Sequence, residues 1–489
     1  MKRTYLLLFL TCICTCIRAY PKQEMRAVWL TVNYGLDWPD KPFQDAQDIV
    51  RQQYELDQIL DRLRKSHINT VFIQTRLAGN VIYPSTIESR SKYIKSPYAK
   101  VDYDPLAYVV EACHKRGMEC HAWLVTYPLG RKKNDKASGL SDVMKQHKKG
   151  IKTLKKELYL DPGYPGTTSY LTNIIREIVS SYDIDGIHFD YIRYPDNANF
   201  PDQDTYSRYG RGKDKADWRR ENINHFVYTA YDAIKSLKPW VQVSSSVVGM
   251  YKNIPGNVQK HWTAYYSVYQ DPIDWLSKGK HDFIVPMMYY SDNLFFPFVQ
   301  DWMAKSTGRY IVPGLGLFRM NEKEAAWDVE VLLEQIQYSR NNHTAGNAFF
   351  RVQSLMENQK GILDKMNTKF YTNPALWPAL TWLSNKVPSS PLLIHAEKSN
   401  KYLQLNWDKV LPTENQAIYY NIYRSETIPV DVENSGNLVA MRIMENHYEI
   451  PIDNSKETGY YYVVTSYDRY HNESKASIPA YFVTGNFEK

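Results

Sequence analysis

Residues 185–195 read DGIHFDYIRYP. In an extended chain, neighbouring side chains point to opposite sides. Ile187, Phe189 and Tyr191 therefore share one face, and His188, Asp190 and Ile192 share the other. The first face is apolar and suits packing against helices. The second carries groups that are costly to bury unless they are paired or used. An unpaired carboxyl there would titrate high unless Arg or His neighbours offset it. Arg76, His188 and Arg193 are the expected partners of Asp190. A carboxylate held ionised in this way suits a nucleophile or a stabiliser of positive charge. An Asp–Arg pair with a purely structural role is the alternative.

The surrounding sequence makes this stretch the fourth strand of a series. MRAVWLTVN (25–33), NTVFIQTR (69–76) and ECHAWLVTY (119–127) precede it. VQVSSSVVG (241–249), DFIVPMMYY (282–290), YIVPGLGL (310–317) and NAFFRVQSL (347–355) follow. Helical segments are predicted near 48–65, 105–117 (stopped by Gly117), 166–182, 216–237 and 321–340. Strand and helix alternating in this way predict an α/β fold, a (β/α)8 TIM barrel with its helices outside. An open doubly wound sheet is the alternative, but no Gly-rich fingerprint follows the first strand.

Barrels of this kind keep their chemistry at the C-terminal ends of the strands. The polar and aromatic residues expected there are Asp37 and Trp38 after the first strand, Arg76 and Asn80 after the second, and Trp123 and Tyr127 on the third. His188, Asp190, Tyr191 and Arg193 come from the fourth, and Tyr289, Tyr290 and Asp292 from the sixth. Loops are polar in any case. Arg76, His188 and Asp190 lie on the strands themselves and need more explanation. Hydrolysis of a glycosidic bond uses two carboxyls, one ionised and one kept protonated by a drier setting. Asp190 fits the first role. Asp292, flanked by two tyrosines that would shield it, is the leading candidate for the second, ahead of Asp37 and Glu357. The other residues named here are expected to bind substrate.

The composition agrees with a folded, sugar-facing protein. Hydrophobic residues make up 43% and charged residues 23%, which excludes a disordered chain. The net charge is +7, and Lys2, Arg3 and Arg18 supply part of it. No basic block interleaves with aromatics, so nucleic acid is not an expected partner. The chain has 40 tyrosines, and flat amphipathic rings suit a ligand that has both hydroxyls and C–H faces. A β-rich surface would account for them equally well.

After NKVPSSP (385–391) helical periodicity gives way to KYLQLNWDK, AIYYNIYRS and GYYYVVTSYDRYHNES, which alternate apolar and polar residues. Residues 386–489 are expected to form a small all-β sandwich resembling a fibronectin type III module, serving the barrel (20–385) as a spacer or packing partner rather than a carbohydrate binder. Residues 1–19 combine basic residues, an apolar run and Ala19 at cleavage spacing, which predicts an export signal rather than a membrane span. The expected location is extracytoplasmic. Lipid attachment at Cys12, Cys14 or Cys16 is the minority alternative. Cys113 and Cys120 are expected as buried thiols, and a disulfide between them is the alternative. Neither metal nor cofactor is called for. Ca²⁺ in the acidic loop 195–204 is less expected than a solvated loop.

EMRAVWLTVNYGLDWP, INTVFIQTRLAGNVIYPS, CHAWLVTYP, LYLDPGYP, DIDGIHFDYIRYP and DFIVPMMYY occur in an order that resembles the glycosyl-hydrolase-like 10 family of secreted bacterial barrel proteins. The resemblance runs over about residues 24–370 and implies a (β/α)8 barrel acting on glycans. Some members of that family cut peptidoglycan strands that lack stem peptides. The resemblance also aligns Asp190 with the strand-four nucleophile of related α-glycosidase-like barrels. Two positions depart from the pattern. Tyr191 stands where many relatives carry a second Asp, and Asn80 stands where many carry Asp. The function implied is a secreted glycoside hydrolase acting on a polysaccharide such as peptidoglycan glycan. The alternatives are a non-catalytic glycan-binding barrel and a surface scaffold. Oligomeric state is left open.

Overall fold

A computed structural model describes residues 21–131, 145–196, 199–255, 262–399, 401–412, 418–452 and 458–484. The expected export signal and its cysteines lie outside these residues.

Eight parallel strands close into a barrel. They are β1 (Met25–Leu30), β2 (Thr70–Leu77), β3 (Glu119–Val125), β4 (Gly186–Asp190), β5 (Gln242–Val248), β6 (Phe283–Met287), β7 (Gly314–Gly316) and β8 (Gly346–Phe350). Each pairs with its neighbours in order, and β1 pairs with both β2 and β8, which leaves no open edge in the ring. The seventh strand is split: Tyr310–Ile311 pairs with β6 before Val312 and Pro313 interrupt it. Proline has no N–H to give a ladder.

The outer layer includes α1 (Ala46–Lys65), α2 (Pro105–His114), α3 (Pro165–Ser181), α4 (Lys215–Leu237), α5 (Pro272–Ser277), α6 (Phe296–Ala304), α7 (Val329–Asn341) and α8 (Ile362–Lys369). Asp45, Asp104 and Asp214 cap α1, α2 and α4 by accepting from backbone N–H groups of the first turn. Ile187 and Phe189 join the large apolar cluster between strands and helices. Ala27, Trp29, Phe72, Trp123, Phe283, Val285 and Ala348 fill the interior.

Several sequence boundaries shift, among them the end of the sixth strand, at Met287 instead of Tyr290. The first strand ends at Leu30, where Asp37 accepts from Thr31 N and turns the chain. The helix expected from residue 321 begins at Val329. The last strand ends at Phe350, and Val352–Met356 is a short helix.

Alternation also fails one residue after Asp190. Tyr191 has φ +50°, so the chain turns there instead of staying extended. Tyr191 is 45% exposed at the rim, and Ile192, expected to point inward, is buried in the helix-facing cluster.

Beyond the barrel, Leu393–Ser399, Tyr402–Trp407 and His447–Pro451 form a three-stranded antiparallel sheet. Leu438–Ile443, Tyr419–Ser425, Thr458–Tyr467 and Ala480–Thr484 form a four-stranded one. Leu403, Leu405 and Trp407 from the first sheet pack on Tyr420, Ile422, Tyr462 and Val464 from the second. The other face of the second sheet presents Tyr419, Tyr423, Val463 and Tyr467 toward Leu376. This module covers the N-terminal end of the barrel. Arg442 pairs with Asp185 at 2.7 Å and Glu119 at 3.3 Å, and His471 meets Glu119 at 2.7 Å. Gly117 has φ +69°, and a Cβ there would sit 2.6 Å from the Met441 carbonyl oxygen. The close approach therefore needs glycine. Cys113 and Cys120 are free, buried thiols. Among the described residues no helix is long and apolar enough to cross a membrane.

Candidate active site

Asp190 is the last residue of β4, at the C-terminal mouth of the barrel. Parallel register sets Val125 beside it and Trp123 beside His188. Two N–H groups reach its carboxyl: Trp123 Nε1 donates to Oδ2 at 3.1 Å, and the Tyr191 backbone N–H donates to Oδ1 at 2.7 Å. The turn at Tyr191 brings that amide round onto the side chain. Asp190 is 7% exposed. Burial raises its pKa above 3.8, and the positive charge of Arg193 with the two N–H groups pulls it back only partway.

His188 lies one layer deeper. Trp29 Nε1 donates to His188 Nε2 at 3.1 Å, and an indole nitrogen can only donate. The proton therefore sits on Nδ1, which donates to Ser244 Oγ at 2.8 Å, while the Ser246 hydroxyl donates to Nε2. The ring stacks on Phe72 at 4.2 Å. Burial, with His121 and His281 nearby, holds its pKa well below the usual value, so it stays neutral. It supports the floor of the mouth and is not the cationic partner of Asp190 expected from the sequence.

Aromatic rings line the opening. Phe350 lies 5.9 Å from Trp29, 6.5 Å from Trp123, 5.9 Å from Tyr289 and 5.9 Å from Phe318. Two glycines make room for the tyrosines. A Cβ on Gly316 would lie 3.0 Å from the Tyr289 ring, and one on Gly249 would lie 2.7 Å from the Tyr290 ring. The negative charge of Asp190 acts on the Tyr289 hydroxyl, and the positive charge of Arg193 acts in the opposite sense on both tyrosines. Arg193 lies between two rings, 4.6 Å from Tyr191 and 5.1 Å from Trp262. A carboxylate among flat rings can hold a sugar by its C–H faces and place a charge against a cationic centre.

The sequence candidates divide on this geometry. Asp190, Trp123, His188, Tyr191, Arg193, Tyr289 and Tyr290 are brought together. Asn80 sits in the turn after β2, with its amide donating to Ala78 O. Arg76 is fully buried but engaged elsewhere. It makes a two-pronged pair with Glu88, at 2.9 and 2.6 Å, and donates to the carbonyls of Val125 and Thr126. It braces β2 against β3 and does not pair with Asp190. Trp38 is buried against α1, donating to Gln52 O at 2.7 Å. Tyr127 is 1% exposed and packs on Phe226, in the layer between strands and helices. Neither lines the mouth.

Asp292 is exposed at the start of a short 3-10 turn, so Tyr289 and Tyr290 do not shield it from water as the sequence suggested. Glu357 is exposed as well. The Asp37 carboxyl is buried and joins the loops after β1 and β8. It accepts from Thr31 N at 2.9 Å, Arg351 at 2.8 Å and Gln353 N at 3.1 Å. Burial outweighs those donors and pushes it up to about 6.

Trp29, Phe350, Phe318 and Trp262 escaped the sequence reading. The first two could have been found, since Trp29 alternates with Ala27 on β1 and Phe350 with Ala348 on β8. Phe318 and Trp262 lie outside regular strands and carry no periodic signal. Among the described residues no cluster of three or more metal-ligating side chains is present.

The model of the family described as Glycosyl hydrolase-like 10 matches residues 24–313. Glycosyl hydrolase YngK of Bacillus subtilis (strain 168) is 30% identical over 484 residues, covering 94% of this chain and 93% of its own. Glycosyl hydrolase DigH of Escherichia coli (strain K12) is 34% identical over 292 residues, covering 55% of this chain and 66% of its own. Among solved structures, the glycoside hydrolase domain of PgaB (BpsB) from Bordetella bronchiseptica covers 70% of this chain and 98% of its own. Its identity is 14% and its TM-score 0.48, too distant a likeness to bear on function.

Proposed function

The chain belongs to the Glycosyl hydrolase-like 10 family and is a glycan-acting hydrolase; from that premise we propose that Asp190 is its key carboxylate and peptidoglycan glycan its substrate. The observation that carries the role of Asp190 is its setting. It is a nearly buried carboxyl at the end of β4, both oxygens accept N–H groups, and aromatic rings surround it. N–H donors and the Arg193 charge favour the ionised form, which is the form needed to attack or stabilise an oxocarbenium-like centre. The family resemblance supports peptidoglycan strands without stem peptides as the substrate. Such a substrate lies outside the cytoplasm, and the pattern of residues 1–19 agrees with export. The C-terminal sandwich, fibronectin type III-like in its pattern, serves in this reading as a packing partner of the barrel floor, which the Arg442 and His471 contacts support.

A second reading is a barrel that binds glycan without turning it over. The exposure of Asp292 favours it, because the leading candidate for the second carboxyl is not in a drier site, and the buried Asp37 is taken up by Arg351. Product analysis separates the two. Purified protein is incubated with denuded peptidoglycan and with a panel of plant and host polysaccharides. New reducing ends from denuded peptidoglycan are expected. Binding without any product would replace the hydrolase reading with the second one.

A further inference from the structure

A buried guanidinium is normally paired with an anion, because taking its charge out of water is costly. Among the described residues Arg193 is an exception. It is 9% exposed, no carboxylate lies within 4.0 Å of it, and its Nη1 has no acceptor. What holds it is stacking, with Tyr191 on one side and Trp262 on the other. The indole Nε1 of Trp262 is a second buried donor without an acceptor. Arg319 Nε, from the segment after β7, is a third, and the Arg319 charge, like that of Arg193, acts on Tyr290. Unused donors and positive charge therefore gather on one side of the mouth, next to Asp190. Asp196 is exposed on the loop after β4 and does not reach Arg193 at contact distance, while Arg319 has only a long contact to Glu324, at 3.9 Å.

We propose that Arg193, with Trp262 beside it, is the recognition site for a carboxylate carried on the substrate sugar. This rests on the hydrolase reading and narrows it to an acidic glycan. A planar guanidinium held flat by two rings offers a preset fork to a carboxylate, and little side-chain freedom is lost on binding. The oxygens of a neutral sugar could accept from these donors but would leave the buried guanidinium charge unpaired. Both the lactyl ether of a muramic acid and a uronic acid carry a suitable group.

The test uses the full chain. Denuded peptidoglycan strands and a glucuronate-containing polysaccharide are each compared with their carboxyl-reduced forms, in which the acid is an alcohol. Wild type should cut one intact glycan with a KM lower by on the order of 10- to 100-fold than for its reduced form, the size of a hydrogen bond to a charged group. The glycan showing that gap identifies the source of the carboxylate. R193Q should raise KM for the intact glycan and abolish the gap. R193K, which keeps the charge but not the fork, should restore part of it. Equal KM for intact and reduced glycans in wild type, or a gap that survives in R193Q, overturns the inference and leaves the hydrolase reading standing. Absence of turnover on every glycan removes both.

Discussion

The indole of Trp123 donates to the Asp190 carboxyl across 3.1 Å, joining the ends of β3 and β4 through the group most suited to chemistry. Removing the carboxylate alone tests that suitability. Asp190→Asn keeps the volume and is expected to lower the rate of reducing-end release by on the order of 10³-fold. Circular dichroism and a thermal melt should show an intact fold. Release at the wild-type rate would remove Asp190 from the mechanism.

The pH profile follows from the same burial. Because Asp190 titrates above 3.8 in the folded protein and acts ionised, activity should be lost as pH falls through that raised value. Trp123→Phe keeps a ring but deletes the donor that favours the anion. The acid limb of kcat/KM should then move to higher pH, with a loss of about tenfold at neutral pH. An unchanged limb would mean that another group sets it.

At the opposite end, Arg442 ties the C-terminal module to Asp185 and Glu119. Burial alone would raise both carboxyls, but Arg442 and His114 hold Asp185 well below 3.8, and His471, His121 and Arg442 hold Glu119 at about 2. Carboxyls depressed in the folded state stabilise it above their unfolded values, and that contribution disappears as pH falls through the folded ones. Arg442→Met should cost roughly 3–5 kcal/mol at neutral pH, since two buried carboxylates lose a partner. The gap from wild type should begin to narrow below about pH 4, the unfolded range of these carboxyls, and keep narrowing toward the folded values. Melting curves at pH 7 and pH 3 would read it, and equal gaps at both would contradict the assignment.

Gly249 directly follows β5, where a Cβ would come within 2.5 Å of the Met287 carbonyl oxygen and 2.7 Å of the Tyr290 ring. The carbonyl is backbone and cannot swing aside. Gly249→Ala is expected to cost about 1–3 kcal/mol and to raise KM by displacing Tyr290 from the mouth. Denaturant unfolding and steady-state kinetics would check the two effects separately.

Much of the barrel was legible because its signals are local. Ile187 and Phe189 against His188 and Asp190 is a period of two, and any closed sheet must sort those faces to its two sides. In the folded barrel Ser244 and Ser246 follow the same period and meet His188. It failed at Tyr191, because a single residue at positive φ ends the alternation and pattern alone carries no dihedral angle.

The sequence alone therefore determined the order of strands and helices, the change of texture near residue 385, and the place of Asp190 at the end of the fourth strand. Each follows from periodicity, which neighbouring residues carry among themselves. Tertiary structure decided the partners. It gave Arg76 to Glu88 rather than Asp190, left Asp292 in water, and set Arg193 between Tyr191 and Trp262 with no ion-pair partner among the described residues. Pairing of charges and loss of solvent depend on residues far apart in the chain, and only closure of the barrel brings those residues within reach. DGIHFDYIRYP shows where the chemistry sits, and the folded mouth around it shows which groups are free to act.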